Sequence, residues 1–442
     1  MFIYFDRQFF ERLIKNLNKI NYCIVGDYKN LPNSIEHDLD IWTDNQEGFL
    51  TVLKKTVKDS GFKFLLLNKT SNGFNSVLFK RENESIIVLK LDILIDCSYK
   101  SFLTLVGSNE FRKHRTHYKN IYVADEEIEA LVHLLYPLLE WGEIKEKYKF
   151  EIKQNFKSEL FKNTLSKLFG KGQALLLLSH IEKENWKKIE ALQSKLRRLA
   201  LVRFIFNYEL TQFKKGILLL YHNLRRLMIP SGYYITFCGL DGAGKTTLIN
   251  ILNDLFVKVL KNKKVYLGYW RPYVLPEIRE LFGKKNSKES LTKDTQSNVS
   301  SRQPKGVIIS LFKLIYYWLD YVMGKFKFLD IRNKGGFVLF DRHYLDMIVH
   351  PNRFEMNLPK FLLRFVYRLT PKSDLSFFFW ASPEIIHSRK VEFSKNEIIS
   401  QTQAYIKEGR RIHNFIPIET NKPIVDEIDE ILNAISKKRR HV

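Results

Sequence analysis

The stretch Tyr233-Tyr-Ile-Thr-Phe-Cys-Gly-Leu-Asp-Gly-Ala-Gly-Lys-Thr-Thr247 decides the fold of the C-terminal half. Tyr233–Cys238 is an apolar run suited to a buried strand, and Leu248–Val259 continues as an amphipathic helix. The glycine-rich segment between them, with the spacing G-x-x-x-x-G-K-T, therefore lies in the strand–loop–helix setting that a phosphate-binding loop requires. Gly239, Gly242 and Gly244 permit turns that aim amide hydrogens inward, and the helix N-terminus adds positive potential where phosphates would sit. Lys245 is expected to reach the β- and γ-phosphates and the Thr246 hydroxyl to ligate Mg²⁺. The predicted cofactor-binding set is Gly239, Asp241, Gly242, Ala243, Gly244, Lys245, Thr246 and Thr247.

Phosphoryl transfer also needs an acid near the metal and cations around the moving phosphate. Gly336-Phe-Val-Leu-Phe340 reads as a short strand that ends in Asp341-Arg342-His343, at the strand edge where open α/β sheets bind ligands. Asp374–Trp380 reads as a further buried strand, followed by Ser382-Pro383-Glu384, a helix start with proline at its first position. Ser394-Lys-Asn-Glu397 is a capping box, so Arg389, Lys390 and Lys395 fall in a helix–turn–helix flap that can close over a nucleotide. Arg389 is the first choice as a charge-stabilising cation and Lys390 the second. Gly283–Gly306 has almost no apolar residue and reads as a loop, whereas the aromatic Leu311–Tyr321 reads as a helix that is either buried or a pairing face for a homo-oligomer.

Gly239–Thr247, the Asp341-Arg342-His343 triplet and the basic capped flap resemble thymidylate kinase and its relatives over about 210 residues. The resemblance implies a Rossmann-like P-loop fold that uses ATP and Mg²⁺ and passes the γ-phosphoryl to an acceptor phosphate or hydroxyl. It also implies that Asp241 faces the sugar of the acceptor, that Asp341 helps order the metal shell and that Arg342 holds the acceptor phosphate; with Lys245 and Arg389, read above from the loop and the flap, Asp341 and Arg342 form the expected catalytic set, and Thr246 and Asp341 are the expected metal ligands. Where thymidylate kinases carry Arg-Glu-Pro-Gly-Gly, this chain has Tyr269-Trp270-Arg271-Pro272-Tyr273. Arg271 keeps the cation as a substrate-binding residue, but the glycines are gone, which implies a different acceptor pocket. Tyr344-Leu-Asp346 and His350-Pro-Asn-Arg353 resemble a branch of thymidylate kinase-like proteins found with bacterial surface-polysaccharide genes. That suggests a phosphorylated sugar or polyol as acceptor, beside a nucleoside monophosphate.

The N-terminal part has a different texture. Tyr22–Val25, Phe64–Leu67, Ile86–Leu89 and Ile93–Ile95 read as strands of an α+β unit at 1–124. Asp38 and Asp40 are two residues apart and share a strand face, and Asp92 supplies a third carboxylate. With the Gly26-Asp27 turn and His37, these residues resemble the nucleotidyltransferase pattern, in which three acids hold two metals. The family's second small residue is Asp27 here. From Asp125 the pattern turns helical, with Glu126, Glu127 and Glu129 in a first turn and Ile128, Leu131, Leu134, Leu135 and Leu138 at helical spacing. A helical region at 125–229 and an α/β domain at 230–442 complete the expected organisation.

Of the 442 residues, Lys and Arg outnumber Asp and Glu 72 to 48, a formal charge of +24. That balance favours anionic partners, whether nucleotides, nucleic acid or an anionic membrane surface, without choosing among them. A competing reading is a nucleotide-sensing nucleic-acid-binding or defence protein that uses this basic surface. Phe213–Met228 mixes basic and large apolar residues, as a helix lying on lipid or packing between domains would. Three widely spaced cysteines, Cys23, Cys97 and Cys238, follow no metal-ligand pattern and read as reduced thiols. No early apolar stretch has the form of a signal peptide, so the expected location is the cytoplasm, with peripheral membrane contact open.

Overall fold

The computed structural model describes all residues except 27, 36–37, 101–102, 207–216, 218–219, 222–223, 261–263, 279–305, 390–393, 413 and 439–442. Asp27, His37, Lys390, nearly all of the Gly283–Gly306 loop and half of the Phe213–Met228 stretch thus lie outside the described residues. The chain forms two compact units, Met1–Arg226 and Leu227–Arg440.

The N-terminal unit runs β1 (Phe2–Ile3), α1 (Arg7–Asn16), β2 (Tyr22–Val25), β3 (Leu39–Thr43), α2 (Gln46–Asp59), β4 (Lys63–Thr70), β5 (Gly73–Glu82), β6 (Ser85–Leu94), β7 (Cys97–Tyr99), β8 (Leu103–Val106), α3 (Ser108–Lys113), β9 (Arg115–Tyr118) and β10 (Ile121–Ala124). Its main sheet has the order β4-β5-β6-β3-β2-β10-β9, with β1 also on β6. Strand alternation sorts the side chains between two cores. Tyr22, Ile24 and Ile41 pack with Phe9, Phe10 and Leu13 of α1 and with Phe49 and Leu53 of α2. Cys23, Val25 and Trp42 point the other way, into a core built with the helices that follow.

Those helices are α4 (Glu126–Glu140), α5 (Glu146–Asn155), α6 (Glu159–Phe169), α7 (Lys171–Glu182), α8 (Trp186–Ala191) and α9 (Gln193–Phe206). Asp125 caps α4 by accepting the Ile128 amide at 2.9 Å, and three acids complement the dipole of its first turn. The helices share one core with the sheet and are not separately cored, because the face carrying Val25 and Trp42 needs an apolar cover.

The C-terminal unit contains β11 (Tyr233–Gly239), α10 (Lys245–Leu260), β12 (Val265–Tyr269), α11 (Val307–Lys327), α12 (Leu329–Asn333), β13 (Phe337–Asp341), α13 (Tyr344–Val349), α14 (Lys360–Leu369), β14 (Leu375–Trp380), α15 (Pro383–Arg389), α16 (Lys395–Gly409), β15 (Phe415–Glu419) and α17 (Ile424–Lys437). Its five strands are all parallel, in the order β12-β13-β11-β14-β15. Every residue of the central strand β11 is buried, as expected for a parallel strand covered on both faces, and this explains its unbroken apolar run. From the adjacent strands β11 and β13 the chain leaves in opposite directions, to β12 on one side and to β14 on the other, so loops at their C-terminal ends border a crevice.

Among the described residues, Val307–Asn333 is the one helical stretch long and apolar enough to cross a membrane by length and composition. In α11 one face buries Ser310, Lys313, Leu314, Asp320, Tyr321 and Gly324, while Ile308, Phe312, Ile315, Leu319 and Met323 are exposed. The helix expected at Leu311–Tyr321 is therefore buried on one side and apolar on the other.

Gly239 sets how closely β11 approaches β14: its φ is +140°, and a Cβ there would lie 2.4 Å from the Phe379 carbonyl oxygen. Gly239→Ala should therefore destabilise the C-terminal unit by at least about 1–3 kcal/mol. A lowered urea midpoint would report this, and an unchanged midpoint would contradict the close approach.

Candidate functional site

The loop leaving β11 turns through Gly242 (φ +87°) and Gly244 (φ +77°) before α10 begins at Lys245. Positive φ at both positions is the conformation that glycine adopts without steric cost, which is why the loop carries them. Thr246 and Thr247 are exposed in the first turn of α10, while Lys245 is 5% exposed. Its Nζ donates to the Leu240 carbonyl and lies 3.7 Å from Asp241 Oδ1. Burial, then repulsion by Arg342, lowers the Lys245 ammonium pKa to about 8, against the pull of Asp241, Asp341 and Asp346.

β13 delivers its acid and base beside this loop. Phe237 of β11 pairs in register with Asp341, and the Arg342 amide donates to the Phe237 carbonyl at 2.8 Å. Arg342 takes φ +71°, a left-handed turn that aims its side chain along the loop. Its Nη2 donates to Asp241 Oδ1, and its Nη1 donates to Asp346 Oδ1 at 3.2 Å. Burial works against its charge, but Asp241 and Asp346 overcome this and raise its pKa. Arg353 Nη1 reaches Asp241 Oδ2 at 3.4 Å, so the Asp241 carboxylate lies between two guanidinium groups.

Asp346 completes the arrangement from α13. It is fully buried and accepts from the Tyr405 hydroxyl at 2.7 Å and the His343 amide at 3.0 Å, as well as from Arg342. His343 caps the same helix in return. Burial lowers its pKa to about 3, and that of His350 to about 4, so both rings are neutral near neutral pH. Asp346 and Arg353 were visible in the sequence only as part of a family stretch. The local signal that finds Asp346 is its place at the third helical position after His343, where an acid reaches back to the cap amide.

The two helices of the expected flap, α15 and α16, form where their start signals indicate, and Ser394 and Glu397 make a reciprocal capping box at the start of α16. Arg389, at the end of α15, donates to the Thr420 carbonyl at 3.4 Å, and its Nη1 lies 3.8 Å from where a Gly244 Cβ would be. It thus hangs over the loop. Glu427 is pushed up to about 6 by burial, with Arg389 and Lys422 opposing.

Arg271 has another employment. It is 2% exposed, with Nη1 donating to Asp320 Oδ2 at 2.9 Å and to the Leu275 carbonyl at 3.0 Å, and Nη2 to the Pro276 carbonyl at 3.2 Å. The fully buried Asp320 also accepts the amides of Tyr273, Val274 and Leu275 at 2.7–3.1 Å. This geometry turns the Arg271 fork onto its own loop, where it shapes the segment 271–276 instead of presenting a free cation. Trp270, at φ +60°, is stacked on Phe354 at 4.8 Å and meets Tyr317 edge-on at 4.7 Å.

Thr246 and Asp341 suit a divalent ion. Asp341 Oδ1 is buried without a hydrogen-bond partner among the described residues, and burial raises its pKa against the pull of Lys245 and Arg342. A hydroxyl and a carboxylate are the hard oxygen donors that Mg²⁺ takes while keeping water and phosphate oxygens for its other positions.

In the N-terminal unit, Asp40 and Asp92 are adjacent across parallel strands β3 and β6, with Asp38 two residues before Asp40. Lys90 Nζ contacts Asp38 Oδ2 and lies 3.1 Å from Asp92 Oδ2, while Asn75 donates to Asp92 Oδ1 at 2.7 Å. Among the described residues no group of three or more His, Cys, Asp or Glu is arranged to hold a metal ion. The expected metal set Asp38, Asp40 and Asp92 is thus gathered on two neighbouring strands, but Asp38 and Asp92 share an ammonium group. At the neighbouring turn, the Gly26 amide donates to Glu129 Oε1 at 2.9 Å, and burial followed by the charge of Glu151 pushes Glu129 up to about 8. As these residues stand they do not fit the two-metal centre.

Two outcomes follow from the buried charges. Asp320→Ala strands the Arg271 guanidinium and should cost about 3–5 kcal/mol in urea unfolding, with part recovered in the Arg271→Met/Asp320→Ala double variant; no recovery would contradict the pairing. His343 and His350 have folded pKa values depressed below the ordinary 6.5, so their contribution to stability is present above pH 6.5 and is lost as pH falls towards 4 and below. The urea midpoint should drop between pH 7 and pH 4.5, and His343→Asn, which keeps a capping side chain, should flatten that slope.

No family model and no curated protein sequence matches the chain. Among solved structures, thymidylate kinase from Ehrlichia chaffeensis aligns over 47% of this chain and 100% of its own, at 15% identity and a TM-score of 0.30. Thymidylate kinase from Candida albicans aligns over 47% of this chain and 94% of its own, at 18% identity and a TM-score of 0.34. At that level of similarity the fold assignment rests on the strand order and loop geometry described above.

Proposed function

We propose that the C-terminal unit is an ATP-dependent kinase that transfers the γ-phosphoryl group to a small-molecule acceptor in the cytoplasm. The acceptor is a nucleoside monophosphate or a sugar or polyol precursor of a surface polysaccharide. The observation that carries this reading is the joining of loop and strand end: Lys245, Arg342 and Arg353 all converge on Asp241. Three cations beside a phosphate-binding loop supply what phosphoryl transfer needs most, charge neutralisation in fixed positions.

On this reading the amides of Gly242 to Lys245 and the Lys245 ammonium bind the donor phosphates. Mg²⁺, when held by Thr246 and Asp341, supplies further neutralisation of the bridging oxygens. Arg342 and Arg353 orient the acceptor so that its oxygen attacks the γ-phosphorus as the bond to the departing ADP breaks. Asp346 and Tyr405 fix Arg342, which keeps the reacting atoms in line. Arg389 closes from the flap and, by covering the loop, limits access of water that would hydrolyse ATP. The glycine-free Trp270–Tyr273 segment, fixed by Asp320, supports an acceptor pocket unlike that implied for thymidylate.

The test is turnover of Mg·ATP with candidate acceptors. Lys245→Ala should lower kcat by roughly 10²–10³-fold. Arg353→Ala should raise the KM for the acceptor while leaving that for ATP near its wild-type value. Undiminished turnover in Lys245→Ala would overturn the assignment.

A further inference from the structure

The acidic edge of the N-terminal unit is not used by this kinase reading, and its charges are already matched. Val25 pairs with Asp40, and Asp40 pairs with Asp92, so the Gly26 turn, the two Asp residues of the β3 segment and the Lys90-Leu91-Asp92 segment of β6 converge at neighbouring strands. We infer that this edge is a self-occupied site: Lys90 stands where a divalent cation would bind the three carboxylates, and Glu129 stands where an anion's oxygen would meet the Gly26 amide.

Two independent contacts carry the inference. At the cation end, the Lys90 ammonium is shared between Asp38 and Asp92, its side chain is 10% exposed, and Asn75 takes the second oxygen of Asp92. An ammonium is a compact point charge that satisfies carboxylates much as a small ion does, but it is tethered and so competes at a very high effective concentration. At the anion end, the carboxyl of Glu129 takes the amide that a phosphate oxygen would need. Glu129 comes from α4, whose position is fixed by the shared core of Ile128, Leu131 and Leu135 against Trp42 and Val25, so this contact is built into the fold. A metal–nucleotide complex would have to displace two tethered partners at once, the Lys90 ammonium and the Glu129 carboxyl. The unit therefore binds neither a divalent ion nor a nucleotide there. The inference is independent of the kinase reading, because it concerns residues of the N-terminal unit only.

Removing the tethered cation should take from Asp38 and Asp92 the ammonium they share and, with Asp40 beside Asp92, open a divalent site. The test counts bound Mn²⁺ by electron paramagnetic resonance in the full-length chain, with Mn²⁺ as the only added metal and no nucleotide. Wild type and Asp40→Asn should bind equally, since any Mn²⁺ held by Thr246 and Asp341 is common to both. Lys90→Met should take up one further equivalent, which the added Asp40→Asn change removes. As a second readout that tolerates weakened folding, Mn²⁺ should raise the Tm of Lys90→Met and Lys90→Gln by more than it raises that of wild type, because each further bound ligand stabilises the state that binds it. Loss of a Mn²⁺ equivalent when Asp40→Asn is made in the wild-type chain would overturn the inference, since the edge would then be open. So would well-folded Lys90 variants that gain no Mn²⁺ and no Tm shift beyond that of wild type, since the ammonium would then not occupy a cation's place.

Discussion

The ion pair between Arg342 and Asp241 is the contact on which the C-terminal unit depends most. It joins the first residue after β13 to the middle of the loop after β11, and so fixes the spacing of two adjacent parallel strands at the edge where the phosphate-binding loop opens. Neither partner is alone. Asp346 holds the other end of the guanidinium, Tyr405 and the His343 amide hold Asp346, and Arg353 approaches Asp241 from the segment beyond α13. A buried charge network of this kind is costly unless every member is satisfied. Here the compensation runs through four elements, so the loop, α13 and α16 are positioned together.

Much of this half could be read directly from residues. The Tyr233–Cys238 run, the glycine spacing and the helix expected at Leu248–Val259 are short-range signals; the strand runs one residue further, and the helix starts three residues earlier and ends one later. The strand ending in Asp341 and the capping box at Ser394 were legible for the same reason, because strand burial and helix starts are determined by neighbouring residues. What the sequence hid is long-range. Nothing near Arg271 announces that its partner is Asp320, 49 positions later on the inner face of α11. A cation in a loop reads as a ligand-binding group until the fold supplies a buried carboxylate for it.

The same limit governs the N-terminal unit. Alternation placed Asp38 and Asp40 on one face, and their neighbour Asp92 lies where a third acid was expected. Yet Lys90 shares the face of Asp92 by that same alternation, and a sequence motif built only from acids passes over it. Glu129 likewise looks like an ordinary first-turn acid of α4, favourable to the helix dipole, and only the packing of α4 brings it to the Gly26 amide. Motifs record which groups are present, while the charge balance of a site depends on which groups the fold adds.

The two units thus differ in how their charges are matched. In the C-terminal unit an exposed threonine, a buried carboxylate oxygen without a hydrogen-bond partner among the described residues and a lysine with a lowered pKa surround the loop, all groups that gain from a metal-bound phosphate. In the N-terminal unit the acids and the turn amide are already engaged. The measurement that tests this contrast most directly is calorimetric titration of the full-length chain with a non-hydrolysable ATP analogue, with and without Mg²⁺. The account predicts one molecule bound per chain, with affinity that depends on Mg²⁺ and is sharply weakened by Asp341→Asn. Binding of two molecules per chain, or Mg²⁺-independent binding that Asp341→Asn leaves intact, would contradict it.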